Sequence, residues 1–510
     1  MKPIRPFRKR KKKAAQITRF EQYIQTLPQN DIGSVLDFFA EFDSHNSLSR
    51  NERLKMREDF EKALLYYASS DIPLEEALER LSIENLGGFY VRPPILWYSL
   101  DNAAKIYPIS MKHGQMALFR LSVYFKRAVV PELLQMALTF TIKRFPTFAT
   151  TVKKGFFWHY LDTTKRRYFI APESDIPCRP LKISRSSSQS FRVLFFRNRV
   201  SVEYFHILTD GAGGMVFLKT LAAEYLRLMG AKPKESDEGI LDINERPSQD
   251  EAANEFHRAE KTENASGFIN RSAVQMSGKL SKIRPCRIIH FKMDSELLKQ
   301  AAKNRSATIT AYILAMMFAA GKHATDEFEG SMRIQVPVNM RKFYPSATLR
   351  NFSMYCGIDL SLAEISDVDT MIPNITLQLE QKASKQSMSE MINSTKRMVG
   401  AVRYVPLFIK TPAARIIYGY LSDRIFSNTL SNFGVVKMPP GLEEHIDSMD
   451  FVLGSARTNR ACCAMVTFGK TSTLSITKIT ADPSFEEKLY ELLIADGVTP
   501  VVEGSELYGN

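Results

Sequence analysis

His206 and Asp210 stand four residues apart in His206-Ile-Leu-Thr-Asp210-Gly211, a His-x-x-x-Asp-Gly spacing. An imidazole titrates near neutrality, so it can take a proton from a hydroxyl or amine at working pH. The run follows an alternating apolar stretch, residues 200–205, and leads through Gly213-Gly214 into residues 215–228, apolar at helical spacing. A strand that delivers the histidine and a helix that begins just after it suit general-base chemistry at a loop. Gly211 is expected to remove a side chain where that loop turns toward the helix. With eight histidines in 510 residues the spacing alone is weak, arising by chance in roughly two chains in a hundred. The elements around it must therefore carry the argument.

No second constellation competes. His113, His159, His290 and His323 are isolated, and no pair has metal-ligand spacing, so no bound metal is expected. The cysteines Cys178, Cys286, Cys356, Cys462 and Cys463 are odd in number, and adjacent Cys462 and Cys463 would alternate faces of a strand. Reduced thiols in a cytoplasmic protein are the simplest expectation.

A hydrophobic content of 44% with 33 phenylalanines supports a well-buried globular chain, too long for one ordinary core. The net charge of +14 suggests a nucleic-acid partner until its distribution is read. Lys2, Arg5, Arg8, Lys9, Arg10, Lys11, Lys12 and Lys13 precede any acidic residue, and without these eight only +6 remains. The basicity belongs to a tail, residues 1–16, expected to be a solvated disordered arm. A peripheral contact with anionic membrane is the alternative, and no specific nucleic acid is implied. No apolar run reaches the ~20 residues that span a bilayer. The segment after the tail, Gln16-Ile-Thr-Arg-Phe20, lacks the apolar core of a secretory signal.

Residues 17–90 alternate helical segments with polar breaks. Ser49-Arg-Asn-Glu52 has the form of a capping box, and residues 72–77 start another helix. Gly87-Gly88 and Pro93-Pro94 mark the end of this helical appendage. Residues 91–230 read as α/β: a strand at 117–124, a helix entered through Pro131, and a hairpin of 192–196 and 200–205 around Arg197-Asn198-Arg199. The polar stretch 231–284 reads as a linker. Residues 285–510 are a second α/β region, with helix caps at 306–310 before an apolar helix 311–320. Its strands fall at 332–338, 354–360, 451–453, 464–468 and 474–479, and a terminal helix starts at Asp482.

Four blocks in order resemble the chloramphenicol acetyltransferase-like superfamily, which includes alcohol acyltransferases and the condensation domains of peptide synthetases. They are Val202-Glu-Tyr-Phe-His206-Ile-Leu-Thr-Asp-Gly211, Ser306-Ala-Thr-Ile-Thr310 with its helix, Val336-Pro-Val-Asn-Met-Arg341 extended to Phe352, and Leu430-Ser-Asn-Phe-Gly434. The long third block looks most like stand-alone bacterial alcohol acetyltransferases. The resemblance covers residues 95–495. It implies an α/β fold of two lobes related as a pseudo-dimer, with a central channel and His206 near its middle. Implied with it are His206 as general base and Asp210 turned away from the channel toward an arginine, with Arg341 the candidate. Ser431 and Asn432 would support the oxyanion. The donor would be acyl-coenzyme A, a cosubstrate rather than a permanent cofactor, and the acceptor a small or lipidic alcohol or amine. Departures exist: Phe205 replaces the first of the two histidines usual in condensation domains, and the Asp-Phe-Gly-Trp-Gly block of plant-type enzymes is absent. A donor on a carrier protein, or a non-catalytic protein that kept the fold, are the alternatives.

Overall fold

A computed structural model describes residues 18–92, 96–102, 104–105, 116–163, 166–181, 189–232, 239–262, 271–412, 424–455 and 459–508. The basic tail, residues 1–16, and His113 lie outside them. The strands are β1 (Trp97–Ser99), β2 (Leu118–Phe125), β3 (Thr150–Lys154), β4 (His159–Thr163), β5 (Ile170–Pro172), β6 (Phe191–Phe196), β7 (Arg199–Phe205), β8 (Arg287–Asp294), β9 (Ser331–Asn339), β10 (Ser353–Ser361), β11 (Asn428–Val436), β12 (Ile446–Leu453), β13 (Ala461–Phe468), β14 (Thr471–Lys478) and β15 (Val501–Gly504).

Three sheets result. One is β12-β2-β7-β6-β5, a second is β10-β9-β11-β13-β14-β8-β15, and a small third is β1-β4-β3. The β6–β7 hairpin forms as the sequence predicts, with Arg197 in the left-handed region of its turn at φ 52°. Two apolar cores match the two expected lobes. The first gathers β2, β6, β7 and the helix Gly211–Leu228; the second surrounds the helix Ile309–His323. That second helix is apolar on nearly all sides, so it must be covered all round. The helices Val368–Lys382 and Ser484–Ala495 pack against it.

The lobes are not separated along the chain. β12, from the second half, pairs antiparallel with β2, setting Phe451 opposite Leu121 and Met449 opposite Val123. It completes the first lobe's sheet and ties the halves together by main-chain hydrogen bonds.

The helical appendage is packed into the first lobe. Phe60 meets Phe140 edge-on at 6.1 Å, Tyr67 Oη donates to Leu228 O at 2.7 Å, and Asp59 pairs with Arg167. The capping box sits earlier than expected. Thr18 and Glu21 satisfy each other's main-chain N–H, whereas Ser49 caps Arg50–Ser69 without a side-chain hydrogen bond. The described residues 239–262 and 271–284 hold two short 3-10 turns, Asp250–Ala252 and Glu255–Arg258, and are tied to both lobes: Arg144 pairs with Glu251, and Val274 N donates to Ser331 O at 2.9 Å. Among the described residues no helix is long and apolar enough to cross a membrane.

Candidate active site

His206 is the first residue past β7. Its own N–H still bonds Ala117 O at 2.9 Å, so the ladder with β2 holds its main chain beyond the strand's end. A tight turn follows, closed by Leu208 N to Phe205 O at 2.8 Å. Asp210 then caps the helix Gly211–Leu228, its Oδ1 accepting from Gly213 N at 3.1 Å. The imidazole meets the Phe119 ring edge-on at 5.3 Å. Burial lowers its pKa below the usual 6.5, opposed by the Asp210 carboxylate and by a hydrogen bond to its own main chain. The ring is therefore neutral, and a proton acceptor, at pH 7.

Asp210 is 3% exposed and turned toward the second lobe. Its Oδ2 accepts from Arg341 Nη1 at 2.7 Å and from Phe352 N at 2.7 Å. Arg341 sits in the short turn after β9, where Asn339 Oδ1 caps its N–H at 3.0 Å. All five guanidinium hydrogens find acceptors: Asp210 and Asn339 from Nη1, Thr348 O and Arg350 O from Nη2, and Thr348 O again from Nε. The structure thus brings together His206, Asp210 and Arg341, three residues singled out in the sequence.

A second clasp was not legible in the sequence. Thr209 Oγ1 donates to Leu349 O at 2.6 Å, while Leu349 N donates to Glu251 O at 2.8 Å and Thr348 Oγ1 to Ala253 O at 2.7 Å. The irregular segment 251–253 thereby holds the 348–352 loop that holds the histidine loop. Arg350 is buried too, donating to Ser99 O at 2.6 Å and lying 4.0 Å from Asp101. Burial pushes the Asp101 carboxyl up to about 6, the Arg350 charge only partly offsetting it.

The glycine requirement differs from expectation. A Cβ on Gly211 would meet the Phe433 ring at 3.5 Å, an ordinary contact. On Gly213 it would lie 2.2 Å from Leu349 O and 2.4 Å from Thr209 Oγ1, which is impossible without a shift. On Gly214 it would press on Phe119 and Tyr204 at 3.1 and 3.2 Å. The close approach falls at Gly213-Gly214, where the helix start seats against β2, β7 and the second lobe.

Ser431 and Asn432 lie in β11, opposite Ala464 and Met465 of β13. The Phe433 ring that faces Gly211 also lies 6.3 Å from Phe451, so β11 passes beside the histidine loop. Asn432 Nδ2 donates to Thr310 Oγ1 at 3.0 Å and its Oδ1 accepts from Gly434 N at 2.9 Å. One of its two amide hydrogens is thus spent on orientation. Among the described residues no three His, Cys, Asp or Glu side chains form a metal-holding group.

No family model matches the chain, and no curated protein matches its sequence. Solved structures do match its fold. Trichothecene 15-O-acetyltransferase from Fusarium sporotrichioides aligns at TM-score 0.53 and 12% identity, over 78% of this chain and 94% of that one. TRI101 of the same organism, solved with coenzyme A and T-2, aligns at 0.54 and 12%, over 77% and 97%. The first condensation domain of the calcium-dependent antibiotic synthetase, solved with a substrate analogue, aligns at 0.52 and 12%, over 80% and 99%. With its two lobes joined by the shared strand β12, the chain has the fold seen in these acetyltransferases and in the condensation domain.

Proposed function

We propose that the chain is an acyltransferase that moves an acetyl or longer acyl group from acyl-coenzyme A to an alcohol, with His206 as general base. The observation that carries this reading is the locked loop: the His206 main chain is held by Ala117 O, the Asp210 end of the loop is held by Arg341, and the half-buried imidazole has a lowered pKa. The acceptor hydroxyl gives its proton to His206 while its oxygen attacks the thioester carbonyl. A C–O bond forms, the carbonyl electrons move to oxygen, and their return breaks the C–S bond. The leaving thiolate takes the proton from the imidazolium, which restores the neutral base. A lowered pKa keeps the ring unprotonated at pH 7 and favours the return of its proton to the thiolate, while it weakens the base in the first step.

Asp210 and Arg341 are positioning residues in this scheme, since their hydrogen bonds are directed at each other and at main chain. Ser431 and Asn432 are assigned to the oxyanion, where a donor fixed in advance is most effective. The likeness to TRI101 with coenzyme A supports a diffusible thioester, and the likeness to a condensation domain keeps a carrier-protein-bound donor as the second reading. The cationic segment Lys2–Lys13 would hold a cytoplasmic enzyme at anionic membrane, where lipidic alcohols are met. The test measures free coenzyme A released from acetyl- and decanoyl-coenzyme A over a panel of alcohols and amines. Acceptor-dependent release supports the reading. Release from carrier-bound acyl thioester alone replaces the donor, and no release from either donor removes the proposed activity.

A further inference from the structure

A cavity of about 930 Å³ opens between the two halves of the chain, and no residue of the histidine loop lines it. One wall is the small β1-β4-β3 sheet with Trp97, Phe157 and Trp158; the other is the end of the helix Lys385–Ala401 and the turn after it, with Tyr404. The volume suits a small organic ligand. Leu407 N donates to Phe156 O at 2.8 Å and the Phe157 and Tyr404 rings meet at 6.2 Å, so the walls touch along one edge. Large rings are left in solvent around it: Trp97 is 68% exposed and Tyr404 74%.

The charge in this cleft is one-sided. Lys105, Lys396 and Arg403 line it, and the Lys410 ammonium sits 3.2 Å from the centre of the Trp158 ring, with that of Lys105 5.6 Å from the same ring. Among the described residues none of these four cations makes an ion pair within 4.0 Å. The carboxylate that acts on Lys105 is Asp101, itself buried and turned to Arg350. Burial and then the neighbouring Lys105 charge pull Lys410 down to about 8. Burial, with Arg403 and Arg350 adding to it, lowers Lys105. A group of cations that depress one another beside apolar rings is complementary to an anion carrying an apolar body.

The cleft is also joined to the histidine loop. Ser99 lines it and accepts from Arg350, whose own carbonyl accepts from Arg341, which holds Asp210. We propose that this cleft binds an amphiphile with an anionic head, carboxylate or phosphate, and an apolar body.

The chain has two tryptophans, and both line the cleft, so intrinsic tryptophan emission reads this site alone. The probes are ω-hydroxydecanoate, its uncharged counterpart decanediol, and decyl phosphate. Saturable emission shifts are expected, with ω-hydroxydecanoate or decyl phosphate bound about tenfold tighter than decanediol; the tighter of the two identifies the head group. The double variant Lys105→Gln/Arg403→Gln should lose that preference while binding decanediol as before. Lys396→Gln should act in the same direction should the double variant fail to fold. Equal affinity for charged and uncharged probes overturns the proposal, as does the absence of any saturable emission shift with the three probes. Preferential anion binding without acyl transfer keeps the cleft and removes the proposed function; transfer with no charge preference does the reverse.

Discussion

Arg341 Nη1 lies 2.7 Å from the Asp210 carboxylate, although 131 residues of chain separate them. The pair joins the end of β9 in the second lobe to the helix start in the first, and five donors meet five acceptances around one guanidinium. Removing Arg341 leaves Asp210 buried without its counter-charge, which costs about 3–5 kcal/mol in such settings. Arg341→Ala should lower the melting temperature sharply, and Arg341→Lys should recover little, because an ammonium cannot fill a planar five-donor site. Thermal denaturation of both variants checks this; a lysine variant as stable as wild type would show the fork to be dispensable.

The two glycines make opposite predictions. Gly211→Ala finds ordinary contact with Phe433 and should retain near-wild-type stability. Gly213→Ala forces a methyl into Leu349 O and Thr209 Oγ1 and should destabilise by about 3 kcal/mol. Urea unfolding midpoints compare them directly, and equal midpoints would contradict the close-approach account.

The pH profile follows from burial of His206. Its pKa is lowered, so the imidazole stays neutral to more acid pH than a free histidine. The acid limb of kcat/KM should therefore fall below 6.5. The Asp210 charge is the larger of the two influences that raise this pKa, so Asp210→Asn should move the limb further toward acid, not back. A limb at or above the free-histidine value would assign the titration to another group. Stability has the same sign: a histidine whose folded pKa is lowered takes up its proton on unfolding as pH falls, so its contribution is lost as pH falls below the unfolded pKa.

Asn432 bonds Thr310 across two elements of the second lobe. Thr310→Val should cost about 1 kcal/mol in stability with little change in kcat. Asn432→Ala should cost the same stability and, as an oxyanion donor, lower kcat by about a hundredfold more. Parallel losses in the two variants would make Asn432 structural and leave Ser431 alone in that role.

Local pattern made much of this molecule legible. The β6–β7 hairpin, the helix after Asp210 and the apolar helix Ile309–His323 all announce themselves by periodicity and caps. What stayed hidden is non-local. β12 is buried at every position but Asp447 and Leu453, and nothing in its residues says that its partner is β2, more than three hundred positions earlier. The three short strands of the cleft wall are too brief to show a period, and Trp97 and Phe156 look like scattered apolar residues until the fold sets them on one rim. Residues 251–253 read as linker because their hold on the 348–352 loop is made by main-chain carbonyls, which any sequence supplies. At the site, Arg341 could be singled out because the family resemblance implies an arginine partner for Asp210 and Asn339-Met340-Arg341 follows a core strand; Asp101 and Arg350 gave no such signal.

The central claim is that His206 carries the proton. Single-turnover release of free coenzyme A from acyl-coenzyme A, in the presence of a competent alcohol, measures it most directly in wild type and His206→Ala. A loss of about a hundredfold or more in the chemical step, with the melting temperature and tryptophan-reported ligand binding unchanged, is the predicted result. Turnover by His206→Ala at the wild-type rate would contradict the account.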